Sequence, residues 1–486
     1  MLFHLVELSL ALLTVGGLVY SALALLGARS FARHLRQHRT TLGPDPAPPG
    51  VSLLKPLRGA DDALFTALES HCLQQYAGPF EILCGVRSLD DPAASIVTDL
   101  AARYPDVDLR LILCPHDLGT SGKVATLVQL LPHARHAHLL VNDADIVVAP
   151  LYLTRIMQAF RTPDPHSPHS PAPEAPNHPA SGVPLPASPL SNEPLLNTPN
   201  LTTSSSSNVS LQTPPHTATP LRQPLLDPSS NSPSSNQPLP AAQNIPRLVG
   251  MVTAPYIGET HRNSRGRIPI WSRLEALGIS TEFLPGVLTA RLLERGLHFG
   301  LGSTLAMRAD ALAAIGGLAP LLESLADDYE LGARIAQAGF RVELAGEVVR
   351  TAVPPYTARA FFDHQLRWAR STRDSRRLGY LGLGITFCLP WAMLTVLGSG
   401  FSLPSVALLS LALLVRVTVA LTIGVGLLGD AQVLRDLWLL PLRDSCGLFF
   451  WLWSYTGNTV VWRGQRFTLR RGELRPVPLR QNQPLP

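Results

Sequence analysis

Three groups of acids and one basic-aromatic cluster stand where side chains could do chemistry. Asp143 and Asp145 are two residues apart and follow the apolar run 138–141. Such a run reads as a buried strand, so both carboxylates fall at its end and can converge on one divalent cation. Hard cations take oxygen ligands, and Mg²⁺ or Mn²⁺ is commonly held by one or two carboxylates plus substrate phosphates. The same four residues, Asn142 to Asp145, also suit a plain strand-ending turn, because Asn and Asp favour turns. Asp90 and Asp91 follow a second apolar run, and Asp327 and Asp328 open a helical stretch. Acids gain from the helix dipole there, yet a carboxylate beside an incoming hydroxyl is also what a general base requires. His364, Arg367 and Trp368 share one helical stretch. Arg367 and Arg370 at i,i+3 suit a solvated face, whereas Arg with His and Trp suits gripping a diphosphate and covering a sugar.

The elements that must position these groups alternate. Strands are expected at 51–57, 81–86, 109–114 and 138–141, with helices near 63–74, 92–104 and 123–131. This order belongs to a mostly parallel sheet with helices on both faces, whose ligands sit outside the carboxyl ends of the strands. Asp90/Asp91 and Asp143/Asp145 therefore share the ligand edge. The alternation stops at 163–246, which holds about half of the 45 prolines and no Phe, Tyr or Trp. That composition cannot bury enough apolar surface to offset ordering entropy and predicts a disordered insertion. Its N-x-[ST] triplets at Asn200 and Asn208 read as chance in a Ser/Thr-rich tract. A strand at 247–253 resumes the pattern, followed by an amphipathic helical segment, 271–295, that Pro285 is expected to break or kink. That segment suits core packing or a position at a membrane interface near a lipid acceptor. Gly300 and Gly302, in a strand and turn, would let backbone approach a ligand closely.

Both ends of the chain are apolar, with 46% hydrophobic residues and a mean hydropathy of +0.16. Residues 5–27 are long enough to span a bilayer, and no basic segment precedes them, which argues against a cleaved signal peptide. Arg29, Arg33, Arg36 and Arg39 follow, so the positive-inside rule places the next domain in the cytosol. Further spans are expected at 380–397, 403–428 and 437–461, the last interrupted by Pro441, Arg443 and Asp444. Arg416 inside the second of these is costly in lipid and should face the helix bundle or snorkel. Three full C-terminal spans would put the basic tail outside, against the charge rule, so one segment should be re-entrant or interfacial. A net charge of +5 without a basic-aromatic stripe excludes nucleic acid as the expected partner. Five cysteines without CxxC spacing suggest neither a disulfide framework nor a zinc site.

Taken in order, Asp90/Asp91, Asp143-Ala144-Asp145, Asp327-Asp328 and His364-Gln365-Leu366-Arg367-Trp368 resemble the motif set of family-2-like inverting glycosyltransferases with a GT-A fold. The stretches VSLLKPLRGADD (51–62), SLDDPA (88–93), LGTSGKVATL (118–127) and LADDYELGARIAQAGFRVEL (325–344) look more specifically like the ceramide glucosyltransferase family, glycosyltransferase family 21. WSRLEALGISTEFLPGVL (271–288) and HQLRWAR (364–370) look most like its bacterial hopanoid-associated branch. The resemblance implies that Asp91 or Asp90 contacts the nucleotide base and that Lys123 lies near the nucleotide. It implies that Asp143 and Asp145 hold the ribose, the diphosphate and the metal. Asp328, with Asp327 as the second choice, would be the catalytic base, and Arg367 and Trp368 would hold the diphosphate and the sugar–acceptor region. The family usually has Gln or Arg where His364 stands, and Asn near the lysine where Ser121 and Thr126 stand here; both departures bear on donor preference.

The expectation is therefore an α/β, GT-A-type enzyme with an N-terminal and several C-terminal transmembrane helices. It divides into a membrane anchor (1–28), a basic cytosolic linker (29–50), a nucleotide-sugar half (51–162), the insertion (163–246), an acceptor and catalytic half (247–376), a transmembrane region (377–462) and a basic tail (463–486). Its expected partners are a UDP-sugar, a membrane lipid acceptor and the bilayer, with Mg²⁺ or Mn²⁺ as cofactor. The expected setting is an integral membrane protein of a bacterial inner membrane, with the catalytic domain in the cytosol. The acceptor would be a ceramide or hopanoid and the sugar glucose or GlcNAc. A processive polysaccharide synthase would need a larger channel-forming bundle, and a lipid-binding scaffold would not need all the acids.

Overall fold

The computed structural model describes residues 2–41, 45, 47–60, 63–163, 247–462, 465–470 and 472–476. The expected insertion beyond Pro163, with Asn200 and Asn208, lies outside the described residues, as do Asp62 and the tail after Pro476.

Among the described residues ten strands build the α/β domain: β1 (Val51–Pro56), β2 (Phe80–Val86), β3 (Asp108–Leu113), β4 (His138–Val141), β5 (Ile146–Val147), β6 (Val249–Thr253), β7 (Tyr256–Thr260), β8 (Leu305–Arg308), β9 (Arg341–Leu344) and β10 (Val349–Val353). Seven of them form one sheet in the order β3-β2-β1-β4-β8-β6-β9. β1 to β4 pair in parallel, β6 pairs in parallel with β9, and β8 runs antiparallel between β4 and β6. The near-continuous apolar runs follow from burial on both faces. Leu54, Leu83, Leu139 and Val141 face one layer with Val124 and Leu127, while Val51, Leu53, Ile82 and Leu140 face the other with Leu64, Leu68 and Tyr152. A smaller sheet, β5-β10-β7, stands at the ligand edge. The mixed, mostly parallel sheet flanked by helices is the architecture expected of a GT-A-type domain.

The N-terminal helix runs without a break from Leu2 to Thr41. The basic linker expected from residue 29 is thus helical over its first part, because it has a surface to pack on. Phe31 and Ala28 join the domain core, His34 Nε2 lies 2.8 Å from Glu343 Oε1, and Gly27 lets the helix meet the backbone of Leu288. Among the described residues two helices are long and apolar enough to cross a membrane, His4–Gln37 and Leu403–Leu427; the pair Arg377–Thr386 and Cys388–Gly398, bent by 52°, makes up to three. The span expected at 437–461 is corrected. The helix Leu440–Ser454 is 15 residues long, and the chain then forms an antiparallel sheet of β11 (Thr459–Trp462), β12 (Gln465–Arg470) and β13 (Glu473–Pro476). A paired charge near the start of that helix leaves too little apolar length to span. Pro285 does not break its helix either. Leu284 N–H bonds back to Ile279 O, closing a π-turn over Ile279–Phe283 immediately before the proline, and the helix continues as Leu284–Leu293. The wider turn accommodates a residue that has no N–H to give.

Candidate active site

The turn after β4 is locked by Asn142, which is buried. Its Nδ2 donates to Tyr152 Oη at 2.8 Å and to Ser303 O at 2.7 Å, and its Oδ1 lies 3.2 Å from His71 Nε2. Asp143 and Asp145 project beyond this anchor. Lys123, on the helix Gly122–Leu130 capped by Ser121, places Nζ 2.7 Å from Asp143 Oδ1 and 3.1 Å from Asp327 Oδ2. Burial alone would lower the Lys123 pKa; the surrounding Asp143, Asp327 and Asp328 outweigh it and raise it, so the ammonium stays charged. Asp328 lies in the first turn of the helix Asp327–Gln337. Burial, then the neighbouring Asp327, push its pKa up to about 6, against the pull of Lys123. Gly302 lies between the two acidic motifs: a Cβ there would stand 2.9 Å from Asp328 Oδ2 and 3.5 Å from Asp143 Oδ2. One strip of backbone without side chain thus lines both, as the role for glycine at a close approach requires. Gly300 has the same use, its Cβ position lying 2.7 Å from Asp328 O.

Asp145 Oδ2 accepts from Thr351 Oγ1 of β10 at 2.6 Å. Burial, then Asp143, raise its pKa. That cost is what a divalent cation would relieve, so the pair fits a metal by its chemistry. Among the described residues no group of three His, Cys, Asp or Glu side chains gathers to hold an ion, so substrate phosphates and water would complete the shell. Below the turn lies Lys55, fully buried, with Nζ donating to Asp143 O at 3.3 Å. Burial lowers its pKa to about 8, with Asp145 and Asp143 among the groups opposing.

Asp90 and Asp91 stand apart from this cluster. Asp91 caps the helix Pro92–Arg103, its Oδ1 accepting from Ala93 N at 2.9 Å and from Gly59 N at 2.8 Å. Asp90 is exposed and meets Ser88. Among the described residues neither pairs with Lys123 or the other site acids.

The helix Ala358–Ser375, capped by Thr357, brings the last motif over the site. The His364 ring stacks on Tyr356 and meets Trp368, both at 5.4 Å between centroids, and Nδ1 lies 3.4 Å from Glu275 Oε1. Trp368 packs on Phe283 at 6.1 Å, and Phe283 on Tyr256 at 5.3 Å. Burial lowers the Arg367 pKa, with Tyr356, Glu275 and Asp143 opposing. Among the described residues no carboxylate forms an ion pair with Arg367, so its donors remain for a ligand.

Several participants carry no signal in the short motifs. Lys55 could have been singled out as the lone charge in an otherwise apolar strand. Thr351, Tyr256, Glu275 and the tail have no such mark. The tail sheet docks directly on the segment that leads into Asp327 and Asp328. Leu325 N donates to Gly472 O at 3.1 Å, Leu474 N donates to Glu323 O at 2.9 Å, and Leu325 packs among Val460, Phe467, Leu469 and Leu474. On its other side this segment accepts from Ser121 N through Leu322 O at 2.8 Å, and Thr120 Oγ1 donates to Glu323. One loop therefore ties the tail, the Lys123 helix and the candidate base together.

A mixed sheet of this order, with carboxylates and a lysine converging outside its carboxyl ends and apolar helices at both termini, defines a membrane-associated α/β protein on the GT-A plan. The chain belongs to glycosyl transferase family 21, whose sequence model matches residues 9–171 and 241–475. It is 30% identical over 141 residues to ceramide glucosyltransferase 1 of Caenorhabditis elegans, 29% of this chain and 30% of that one. It is 30% identical over 125 residues to the ceramide glucosyltransferase of Komagataella phaffii, 25% of this chain and 24% of the relative. The matched stretches thus span less than a third of these relatives. Among solved structures, a mannosyltransferase of Pyrobaculum calidifontis in complex with GDP-Man and Mn²⁺ aligns over 90% of this chain and 99% of its own, at 14% identity and a TM-score of 0.40.

Proposed function

We propose that the protein transfers one sugar, glucose or GlcNAc, from a UDP-sugar to the hydroxyl of a membrane lipid, a ceramide or a hopanoid, with inversion at the anomeric carbon. The observation that carries this reading is the convergence of Asp143, Lys123, Asp327 and Asp328, with Gly302 lining Asp143 and Asp328. Asp328 takes the proton of the acceptor hydroxyl as its oxygen bonds to the anomeric carbon. The bond from that carbon to the diphosphate breaks, and UDP leaves with the electron pair. Asp327 and Asp143 hold Lys123 beside the leaving diphosphate, and Arg367 adds a second positive charge. A divalent ion held by Asp143 and Asp145 would supply further neutralisation of that diphosphate. Trp368 and His364 cover the sugar and acceptor side, and Asp90 or Asp91 contacts the base at the outer edge of the sheet.

The catalytic domain faces the cytosol in this reading, which the arginines after the first span support. The tail supports it too. Because β11 to β13 pack on the α/β domain, the chain returns to its side after residue 454, as it would if the bent pair and the span Leu403–Leu427 both cross.

The test is UDP release and glycolipid mass from purified protein, with UDP-sugars crossed against ceramide, diacylglycerol and a hopanoid polyol. Stimulation by one lipid with the mass of one added sugar supports the reading. No stimulation by any of them, with Mg²⁺ and Mn²⁺ supplied, overturns it. Chelation should lower turnover by about 10²-fold, with recovery on adding back either ion.

A further inference from the structure

Next to the helix that carries His364 and Trp368 lies a second charged pair that the transfer chemistry does not use. Glu282 stands in the π-turn Ile279–Phe283, and Arg443 on the helix Leu440–Ser454. Arg443 Nη1 donates to Gln365 Oε1 at 3.1 Å, and Nη2 lies 3.0 Å from Glu282 Oε2. The contact is not aligned as a hydrogen bond: Glu282 Oε2 and Arg443 Nε are both buried without a hydrogen-bond partner. Two glycines make the room. A side chain on Gly278 would collide with the Arg443 guanidinium, and one on Gly447 would stand 3.3 Å from Glu282 Oε1.

The neighbouring residue shows what a closed pair looks like in the same helix. Asp444 receives Arg416 Nε and Nη2, each at 2.8 Å, with both residues buried. That pair closes through two aligned hydrogen bonds and leaves only Arg416 Nη1 unpartnered, whereas Glu282 and Arg443 make no aligned hydrogen bond with each other and leave both an acceptor and a donor free. Buried polar atoms left without a partner are costly, and π-turns recur at functional sites.

The pair also connects to both places a lipid substrate must reach. Towards the candidate active site, Gln365 donates to Glu275, which meets His364. Phe283, next to Glu282 in the chain, touches Trp368 and Tyr256. Towards the bilayer, the Arg443 helix exposes Leu442, Phe449, Leu452 and Trp453.

We propose that Glu282 and Arg443 form the polar-head site for the acceptor lipid. Glu282 accepts from a hydroxyl or amide N–H beside the reacting hydroxyl, and Arg443 donates to a carbonyl or hydroxyl oxygen. The lipid recognised has a second hydrogen-bonding group next to the one glycosylated, and its chains stay in the bilayer. The proposal rests on the glycosyl-transfer reading above.

The experiment uses the full chain in nanodiscs, a photoreactive short-chain ceramide and a simple long-chain alcohol as probes, and the variants Glu282→Gln and Arg443→Gln. The expected result is a rise of about tenfold in the ceramide KM, the scale of one lost hydrogen bond to a charged group. Crosslinking of ceramide to 271–293 and 440–454 should fall in parallel, with UDP affinity and the response to the alcohol unchanged. Unchanged ceramide KM and crosslinking would overturn the proposal. So would equal losses of ceramide, alcohol and UDP binding together with a lower Tm, which is what a packing role gives. If the wild-type chain glycosylates neither lipid, the transfer reading fails, and crosslinking still decides whether the pair holds ceramide.

Discussion

The carboxyl edge of the sheet and the membrane-side helices both bury charge, and they treat it differently. At the sheet edge, three acids crowd one lysine, Asp328 is left with its pKa near 6, and Arg367 has no carboxylate partner among the described residues. In the helices, Arg416 and Asp444 join through two aligned hydrogen bonds, with only Arg416 Nη1 left unpartnered. Strain that persists at the first site is a sign that a ligand completes it, while a pair that closes on itself stabilises the native bundle only against the loss of either partner. Glu282 and Arg443 sit between these cases, paired yet misaligned.

That contrast can be broken by substitution. Asp328→Asn should lower turnover by about 10³-fold with UDP binding retained, since a positioned general base contributes on that order. Retained turnover would remove Asp328 from the chemistry. Arg416→Ala should cost stability without touching the donor site. About 3–5 kcal/mol is expected when one partner of a buried pair is removed, and the double variant Arg416→Met/Asp444→Leu should recover most of it in thermal unfolding. If Arg416→Ala unfolds like wild type, the pair is not the closed structural device described.

A third substitution sharpens the boundary between site and support. Leu325→Asp would insert a charge among Val460, Phe467, Leu469 and Leu474, loosening the tail sheet from the loop before the base. A fall of about tenfold in kcat with UDP affinity kept is expected, because small displacements of a reacting group are costly in rate. Equal activity would show that the tail plays no part in positioning. The smallest effect is in pH dependence. A base raised to about 6 by burial and by Asp327 is protonated below that value, so kcat/KM should fall as pH drops through about 6. Asp327→Asn removes the second of these causes and should move the midpoint downward. A profile flat to pH 5 would place the free carboxylate elsewhere.

Much of the sheet edge was legible in the sequence. The strands 51–57, 81–86 and 138–141 emerged nearly as expected because fully buried parallel strands must be continuously apolar. The acids at their ends were legible for the same reason: charge that follows such a run has to emerge at an edge. Asp91 shows the limit of this reasoning, since its place after a strand did not announce that its carboxylate caps a helix and holds Gly59. Lys55 shows another, because a lysine inside a strand does not announce what its ammonium meets. In the membrane part, hydropathy located the ends of the spans and failed at 437–461. A window of composition could not register that Asp444 is answered by Arg416, nor that residues 459–476 have strand partners.

What the sequence determined by itself is therefore local. Runs and periods set which segments are strands, helices or spans, because side-chain burial repeats with the backbone. Tertiary structure alone decided the meetings between distant positions: Lys123 with Asp143 and Asp327, Gly302 beside Asp328, Arg416 with Asp444, and the tail sheet on Leu325. These depend on chain crossings and strand order, which no local spacing encodes.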